Sequence, residues 1–191
     1  VARSTARRPQ PGIEAHWGAI AGATELPVML YDVPLRTARR VAHDVLLRLF
    51  EDVPNIVAFK DATGDPAAAA ALVAQAGAHF DLYSGDDAMT LPLLACGAVG
   101  VVGTTTHWTA PWFARMISAF ARGDVGEARQ VHARLLPSFG YVNGDDCVFA
   151  TAVKAMLAAI GQPVGPCRLP LPPAPPGTLE RARTVWDRLA A

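Results

Sequence analysis

Short apolar runs alternate along the chain with longer stretches in which apolar residues recur every three or four positions. The short runs are rich in β-forming residues and end in glycine, proline or polar residues, which is typical of strands. We predict strands over residues 27–33, 56–60, 80–84 and 98–103. We predict helices over residues 12–23, 39–50, 66–76, 88–96, 110–122, 125–136, 148–160 and 178–189.

The order of these elements predicts an α/β fold with a parallel sheet. A helix separates each predicted strand from the next, which is the rhythm of βα units. The strands lack clean apolar and polar alternation, as expected when both faces of a sheet are covered. A small doubly wound sheet is one interpretation, but no glycine-rich phosphate loop follows any strand. Part of a (β/α)8 TIM barrel is the other interpretation.

Composition narrows the classes of partner. Basic and acidic residues number 17 each, so nothing favours nucleic acid or an anionic membrane as a partner. No apolar run approaches the roughly 20 residues that cross a bilayer, and no signal peptide is visible, which predicts a cytoplasmic protein. The three cysteines show no metal-site spacing, so we expect no metal. A small neutral or acidic metabolite fits this composition better.

Lysine is nearly absent from the chain, and its positions are informative. Lys60 and Lys154 are the only two lysines among 17 basic residues. Lysine differs from arginine in that its amine can lose a proton and act as a nucleophile. Lys60 ends the apolar run of the second predicted strand, where partial burial lowers the pKa of an amine. Such an amine can form a Schiff base with a keto substrate, although a solvated charge is the competing interpretation.

Other polar side chains follow the predicted strands. In a (β/α)8 barrel the carboxyl ends of the strands meet at one rim and carry the chemistry. Tyr31 ends the first strand and can relay protons, or it can be an ordinary core aromatic. Arg36 follows it and can bind a substrate carboxylate through two hydrogen bonds, or it can be a surface arginine. Together with Lys60 these residues point to a site that handles a carbonyl substrate.

Four motifs resemble a known family. The stretches "LPVMLYDVPLRTAR", "NIVAFKDATGD", "LYSGDD" and "GAVGVVGTTTHW" are similar, in order and spacing, to the second half of the dihydrodipicolinate (4-hydroxy-tetrahydrodipicolinate) synthase family. This family lies within the N-acetylneuraminate lyase superfamily of class I pyruvate-dependent aldolases. The resemblance runs from about Gly12 to the end of the chain.

The resemblance implies the last four βα units of a TIM barrel in residues 1–123 and a helical extension in residues 124–191. It implies a lyase of lysine biosynthesis that condenses pyruvate with aspartate semialdehyde, usually as a tetramer and without a cofactor. Lys60 would form the imine with pyruvate, and Tyr31 would shuttle protons. Arg36 would hold the semialdehyde carboxylate. The Gly85 carbonyl and Val102 would line the pyruvate pocket.

The chain also departs from the family pattern. The family's first strands have no counterpart here, and residues 1–11 are interpreted as the product of a frameshift or a misassigned start. Half a barrel leaves strand edges unpaired, so we expect activity to require another chain or to be absent. The competing interpretations are another pyruvate or 2-keto-3-deoxy-acid aldolase of the superfamily and a non-catalytic fragment.

Overall fold

The structure, a computed structural model, describes residues 9–77, 80–144 and 147–191. Residues 1–8, which make up most of the segment interpreted as misread, lie outside the described residues. The chain divides into two compact units, one up to Val102 and the other from Gly103 onward. The predicted boundary after residue 123 follows barrel topology rather than compactness, and it stays a prediction.

A parallel sheet forms the centre of the first unit. Its strands, in spatial order, are β1 (Val28–Asp32), β2 (Ile56–Asp61), β3 (Asp81–Ser84) and β4 (Gly100–Val101). Each strand pairs with the next along the chain, so the predicted series of βα units is confirmed. The fourth strand is shorter than predicted. Even so, the amides of Val99 and Val102 still donate to carbonyls of β3, so the pairing extends past the regular strand.

One helix precedes the strands of this unit, and the others follow them. They are α1 (Gln10–Ala21), α2 (Pro34–Thr37), α3 (His43–Asp52), α4 (Pro66–Ala76) and α5 (Thr90–Ala95), with a 3-10 turn at Asp87–Met89. The start of α4 shows how the sequence sets a boundary. The Asp65 side chain accepts a hydrogen bond from the Ala68 amide at 3.0 Å, and Pro66 occupies the first helical position, where its missing N–H costs nothing.

The segment after β1 differs from the prediction. We expected a helix over residues 39–50, but α3 begins at His43 and the short helix α2 precedes it. Ala38 ends α2 in the left-handed region, with φ of 58°. The buried Asp32 carboxylate then accepts a hydrogen bond from the Val41 amide at 2.9 Å, which keeps residue 41 outside the helix. A contact between residues nine positions apart therefore overrides the helical pattern.

The core of the first unit lies on one face of the sheet. Leu30, Phe59 and Leu82 are neighbours across three strands, and each is at most 5% exposed. Side chains of α3, α4 and α5 pack against them: Val45, Leu46, Leu49, Leu72 and Leu93. Burial of a side chain the size of phenylalanine stabilises a fold by roughly 2–3 kcal/mol. This face therefore fixes the sheet on which the strand-end residues sit.

Helices are the only regular secondary structure in the described part of the second unit. They are α6 (Thr106–Ala121), α7 (Val125–Asn143), α8 (Phe149–Ala159) and α9 (Thr178–Ala190). The prediction ended α7 at residue 136, before Pro137, but the helix continues to Asn143. Phe139 stacks on Phe113 with ring centroids 5.9 Å apart, and the Trp108 indole donates to Ser138. This packing offsets the roughly 3 kcal/mol that an interior proline costs a helix.

Lys154, the second lysine of the chain, lies in α8. Its ammonium donates hydrogen bonds to the Pro166 carbonyl at 2.9 Å and to the Val164 carbonyl at 3.3 Å. Both carbonyls belong to the proline-rich connector that precedes α9. Lys154 therefore ties this connector to α8, which is a structural role.

Candidate active site

A row of side chains crosses the sheet near the carboxyl ends of the strands. Tyr31 of β1 pairs in register with Lys60 of β2, and Lys60 pairs in turn with Tyr83 of β3. Gly100 of β4 pairs with Tyr83 in turn and adds no side chain to the row. Because side chains alternate along a strand, this row lies on the face opposite the Phe59 core. The parallel register thus places Lys60 between two tyrosines.

Tyr31 holds the amine of Lys60 against its ring. The Nζ atom lies 4.2 Å from the ring centroid, within the range of a cation–π contact. Tyr31 remains 42% exposed, so a ligand on this face can reach the pair. A cavity of about 260 Å³ also borders Tyr31, and its walls include Trp17, Thr37 and Arg39.

The surroundings of Lys60 favour its neutral form. Partial burial lowers the pKa of the Lys60 amine below its ordinary value, and the Arg36 guanidinium lowers it further. The carboxylate of Asp87 acts in the opposite direction. Because burial is the largest of these effects, more of the amine is neutral at a given pH than in a solvated lysine. This is the condition for attack on a carbonyl carbon.

Asp87 is a residue that sequence reasoning did not assign to the site. It opens the 3-10 turn after β3 and is only 7% exposed. The preceding Asp86 fixes this turn, since its side chain accepts a hydrogen bond from the Ala88 amide at 2.9 Å. The available signal was its position in the "SGDD" turn, directly after a strand of the predicted rim.

Arg36 sits on the one-turn helix α2, directly after β1. Its amide donates to the Val33 carbonyl at 2.8 Å, and Pro34 opens the helix. The far side of this segment is fastened by the bond from the Val41 amide to Asp32. The strand end and this fastening together hold Arg36 close enough to influence the charge of Lys60.

Gly85 and Val102 flank the row from β3 and β4. The Gly85 amide donates to the Asp61 carbonyl at 2.7 Å, and the Val102 amide donates to the Ser84 carbonyl at 2.9 Å. Val102 is 41% exposed. All five residues singled out from the sequence therefore belong to one unit and follow or end neighbouring strands. Their individual chemical roles stay predictions.

Two buried carboxylates lie on the other side of the sheet. Asp32 and Asp61 each follow a residue of the site and are register partners, 2% and 4% exposed. Burial raises the pKa of Asp32, and the neighbouring Asp61 adds to this. Asp61 accepts a hydrogen bond from the Thr63 amide at 2.7 Å. These bonds hold the segments that follow β1 and β2 against the sheet. They therefore stabilise the strand ends that carry the site residues.

Two kinds of functional feature are absent from residues 9–77, 80–144 and 147–191. No group of three or more histidine, cysteine, aspartate or glutamate side chains is arranged to hold a metal ion there. No helix in that part of the chain is both long and apolar enough to cross a membrane.

Known proteins of one family resemble this chain over most of its length. The model of the dihydrodipicolinate synthetase family matches residues 6–185. This chain belongs to that family. The resemblance expected from the four motifs is thereby confirmed, and so is the expected fold, a partial (β/α)8 barrel with C-terminal helices.

Relatives in the dihydrodipicolinate synthetase family are longer than this chain. The 4-hydroxy-tetrahydrodipicolinate synthase of Acidothermus cellulolyticus is 44% identical over 184 residues, which are 96% of this chain and 57% of that protein. The enzyme of the same name from Bacillus subtilis is 40% identical over 86% of this chain and 56% of its own length. The solved structure of the family enzyme from Cyanidioschyzon merolae with lysine bound has a TM-score of 0.91 and 38% identity, covering 96% of this chain and 62% of that one.

Proposed function

We propose that this chain carries the imine-forming part of a 4-hydroxy-tetrahydrodipicolinate synthase site, a class I lyase that uses pyruvate and aspartate semialdehyde. The observation that carries the proposal is the Lys60 amine, whose Nζ lies 4.2 Å from the centroid of the Tyr31 ring at the carboxyl end of a parallel strand. The names of the family relatives support the choice of reaction.

Lys60 is the nucleophile in this proposal. Its neutral Nζ attacks the keto carbon of pyruvate, the carbonyl oxygen takes up a proton, and loss of water leaves the imine. Loss of a methyl proton then gives an enamine, whose carbon attacks the aldehyde carbon of the second substrate. No external cofactor is needed, because the imine itself withdraws the electrons. The lowered pKa of Lys60 supports the first step.

Tyr31 is our candidate for moving these protons. Its contact with the amine keeps the phenol near the nitrogen at which water is lost, and general acid–base groups act within hydrogen-bond reach of the reacting atoms. Arg36 is our candidate for binding the semialdehyde carboxylate, since guanidinium pairs with carboxylate through two parallel bonds. Gly85 and Val102 would line the pyruvate pocket.

We further propose a homo-oligomer in the cytoplasm. Leu26, before β1, is 70% exposed and Leu35, in α2, is 96% exposed, and such apolar surface favours association. Cys96 and Cys167 form no disulfide within the described residues, which agrees with a reducing compartment. Light scattering on a sizing column tests the oligomer.

Reductive trapping tests the chemistry. The protein is incubated with pyruvate and borohydride, and its intact mass is measured. We expect one reduced pyruvate per chain, mapped to Lys60 by digestion. Lys60→Arg keeps the positive charge but cannot form an imine, so it should give no adduct. Lys154→Arg is the matched control and should be labelled like the parent. A folded parent protein that gains no adduct refutes the proposal.

A further inference from the structure

Gly85 packs directly against the side chain of Lys60. A Cβ atom at position 85 would lie 3.0 Å from both Cγ and Cε of Lys60 and 3.0 Å from Cβ of Ala62. Contacts this short require a neighbour to shift by a few tenths of an ångström. Gly85 is absent from the glycines with positive φ, so its backbone would accept an L-residue. Space, and not backbone conformation, is therefore what requires glycine here.

The neighbour that would move is the lysine. Ala62 is fixed by its backbone, whose amide donates to the Asp32 carbonyl at 3.0 Å. Lys60 has a flexible stem, and two of its atoms meet the added carbon. On its other side, the amine end of Lys60 faces the Tyr31 ring, 4.2 Å from the centroid. The stem thus lies in a slot with bare backbone on one side and an aromatic face on the other.

We propose that Gly85 is a positioning residue for Lys60, because its missing side chain seats the lysine stem and sets the direction in which Nζ approaches a keto carbon. This inference rests on the proposed imine chemistry. It is separate from the use of the Gly85 carbonyl as part of a pocket wall, because alanine retains that carbonyl. A displacement near 1 Å at the reacting atom can lower a rate by about a hundred-fold.

Gly85→Ala tests the slot, and Gly100→Ala is the matched control. A Cβ at position 100 would lie 3.0 Å from the Tyr83 ring, so it makes an equally tight contact on the same sheet without touching Lys60. We measure the initial rate of pyruvate trapping against pyruvate concentration. Because the shift is a few tenths of an ångström rather than 1 Å, we expect Gly85→Ala to lower the maximal rate by about three- to ten-fold and to change half-saturation by less than about two-fold. Gly100→Ala should keep most of the parent rate.

A rescue variant separates positioning from misfolding. Adding Ala62→Gly to Gly85→Ala removes one of the atoms that crowds the new methyl group, so part of the trapping rate should return. Circular dichroism checks that each variant is folded. An unchanged maximal rate in folded Gly85→Ala overturns the inference, and so does a variant in which only half-saturation rises.

A second readout does not depend on pyruvate. Trace labelling with acetic anhydride compares Lys60 with Lys154 in the same molecule. We expect the ratio of Lys60 to Lys154 labelling to change at least about three-fold in Gly85→Ala and to stay constant in Gly100→Ala. A parent protein that traps no pyruvate refutes the proposed function, and the slot is then judged by this ratio alone. An unchanged ratio in Gly85→Ala overturns the slot itself.

Discussion

Replacing Tyr31 with leucine is expected to change the charge state of Lys60. The ring of Tyr31 stabilises the ammonium form, since Nζ lies 4.2 Å from its centroid. Leucine keeps an apolar side chain at the position but has no π face. The ammonium form then loses its partner, and the equilibrium moves toward the neutral amine.

The exposure of Tyr31 sets the size of this effect. The residue is 42% exposed, so water screens the contact and the lower range for a cation–π interaction applies, about 0.5–1 kcal/mol. This range corresponds to a change of about two- to five-fold in the ratio of ammonium to amine. Over the pH range in which the ammonium form is in excess, the neutral fraction of Lys60 should rise by the same factor.

Competitive labelling measures the neutral fraction directly. The protein is treated with trace acetic anhydride at several pH values, and Lys60 and Lys154 are quantified by mass spectrometry after digestion. Lys154 belongs to the other unit and serves as the internal reference. We expect the ratio of Lys60 to Lys154 labelling in Tyr31→Leu to be about two- to five-fold above that of the parent.

Tyr31→Phe separates the ring from the hydroxyl. Phenylalanine retains the π face, so labelling of Lys60 should match the parent, while trapping of pyruvate should slow by about a hundred-fold if the hydroxyl relays protons. A labelling ratio in Tyr31→Leu equal to or below that of the parent refutes the cation–π argument.

Three further predictions concern stability. Phe59→Ala should cost about 3–5 kcal/mol in urea unfolding, because Phe59 is 2% exposed, whereas Val57→Ala, at 40% exposed, should cost about 0.5 kcal/mol or less. Burial raises the pKa of Asp32, so the fold disfavours its charged form and loses stability as pH rises through that pKa. Asp32→Asn should therefore unfold at higher urea than the parent at pH 7, and this gain should vanish when the pH falls to the ordinary aspartate pKa of 3.8. Burial lowers the pKa of His132, so the fold loses stability as pH falls through 6.5, the ordinary pKa of histidine. Between about pH 7.5 and 5.5 the melting temperature of His132→Leu should therefore fall by less than that of the parent.

Periodicity and spacing were sufficient to predict the sheet. The runs ending at Lys60 and Tyr31 are apolar, and their separation by a helical stretch fixes parallel pairing, so the neighbours across the sheet follow. The sequence pattern did not predict where a helix continues through a residue that usually ends it. Pro137 signals the end of a helix, yet tertiary packing on Phe139 carries α7 through it. Propensity is a weak prior where such packing exists.

The sequence predicted which residues belong to the candidate site, but it did not predict the contacts between them. A lysine at a strand end indicates the nucleophile, because few other side chains form imines. The tightness around Gly85 has no sequence signal, since a turn glycine usually serves conformation. The role of Asp87 likewise depends on how far the turn after β3 folds back toward Lys60, and this distance is set in three dimensions.

Asp32 and Asp61 show why the two faces of the sheet cannot be considered separately. Each immediately follows a residue of the site, so alternation sends Tyr31 and Lys60 to one face and the two carboxylates to the other. The carboxylates are costly to bury, and yet each accepts a bond from the turn that leaves its strand, at Val41 and at Thr63. A carboxylate behind the sheet therefore fixes the exit of the chain, and the exit of the chain fixes where Arg36 lies. The hydrogen bonds that satisfy the two carboxylates on one face of the sheet therefore help to position the site residues on the other face.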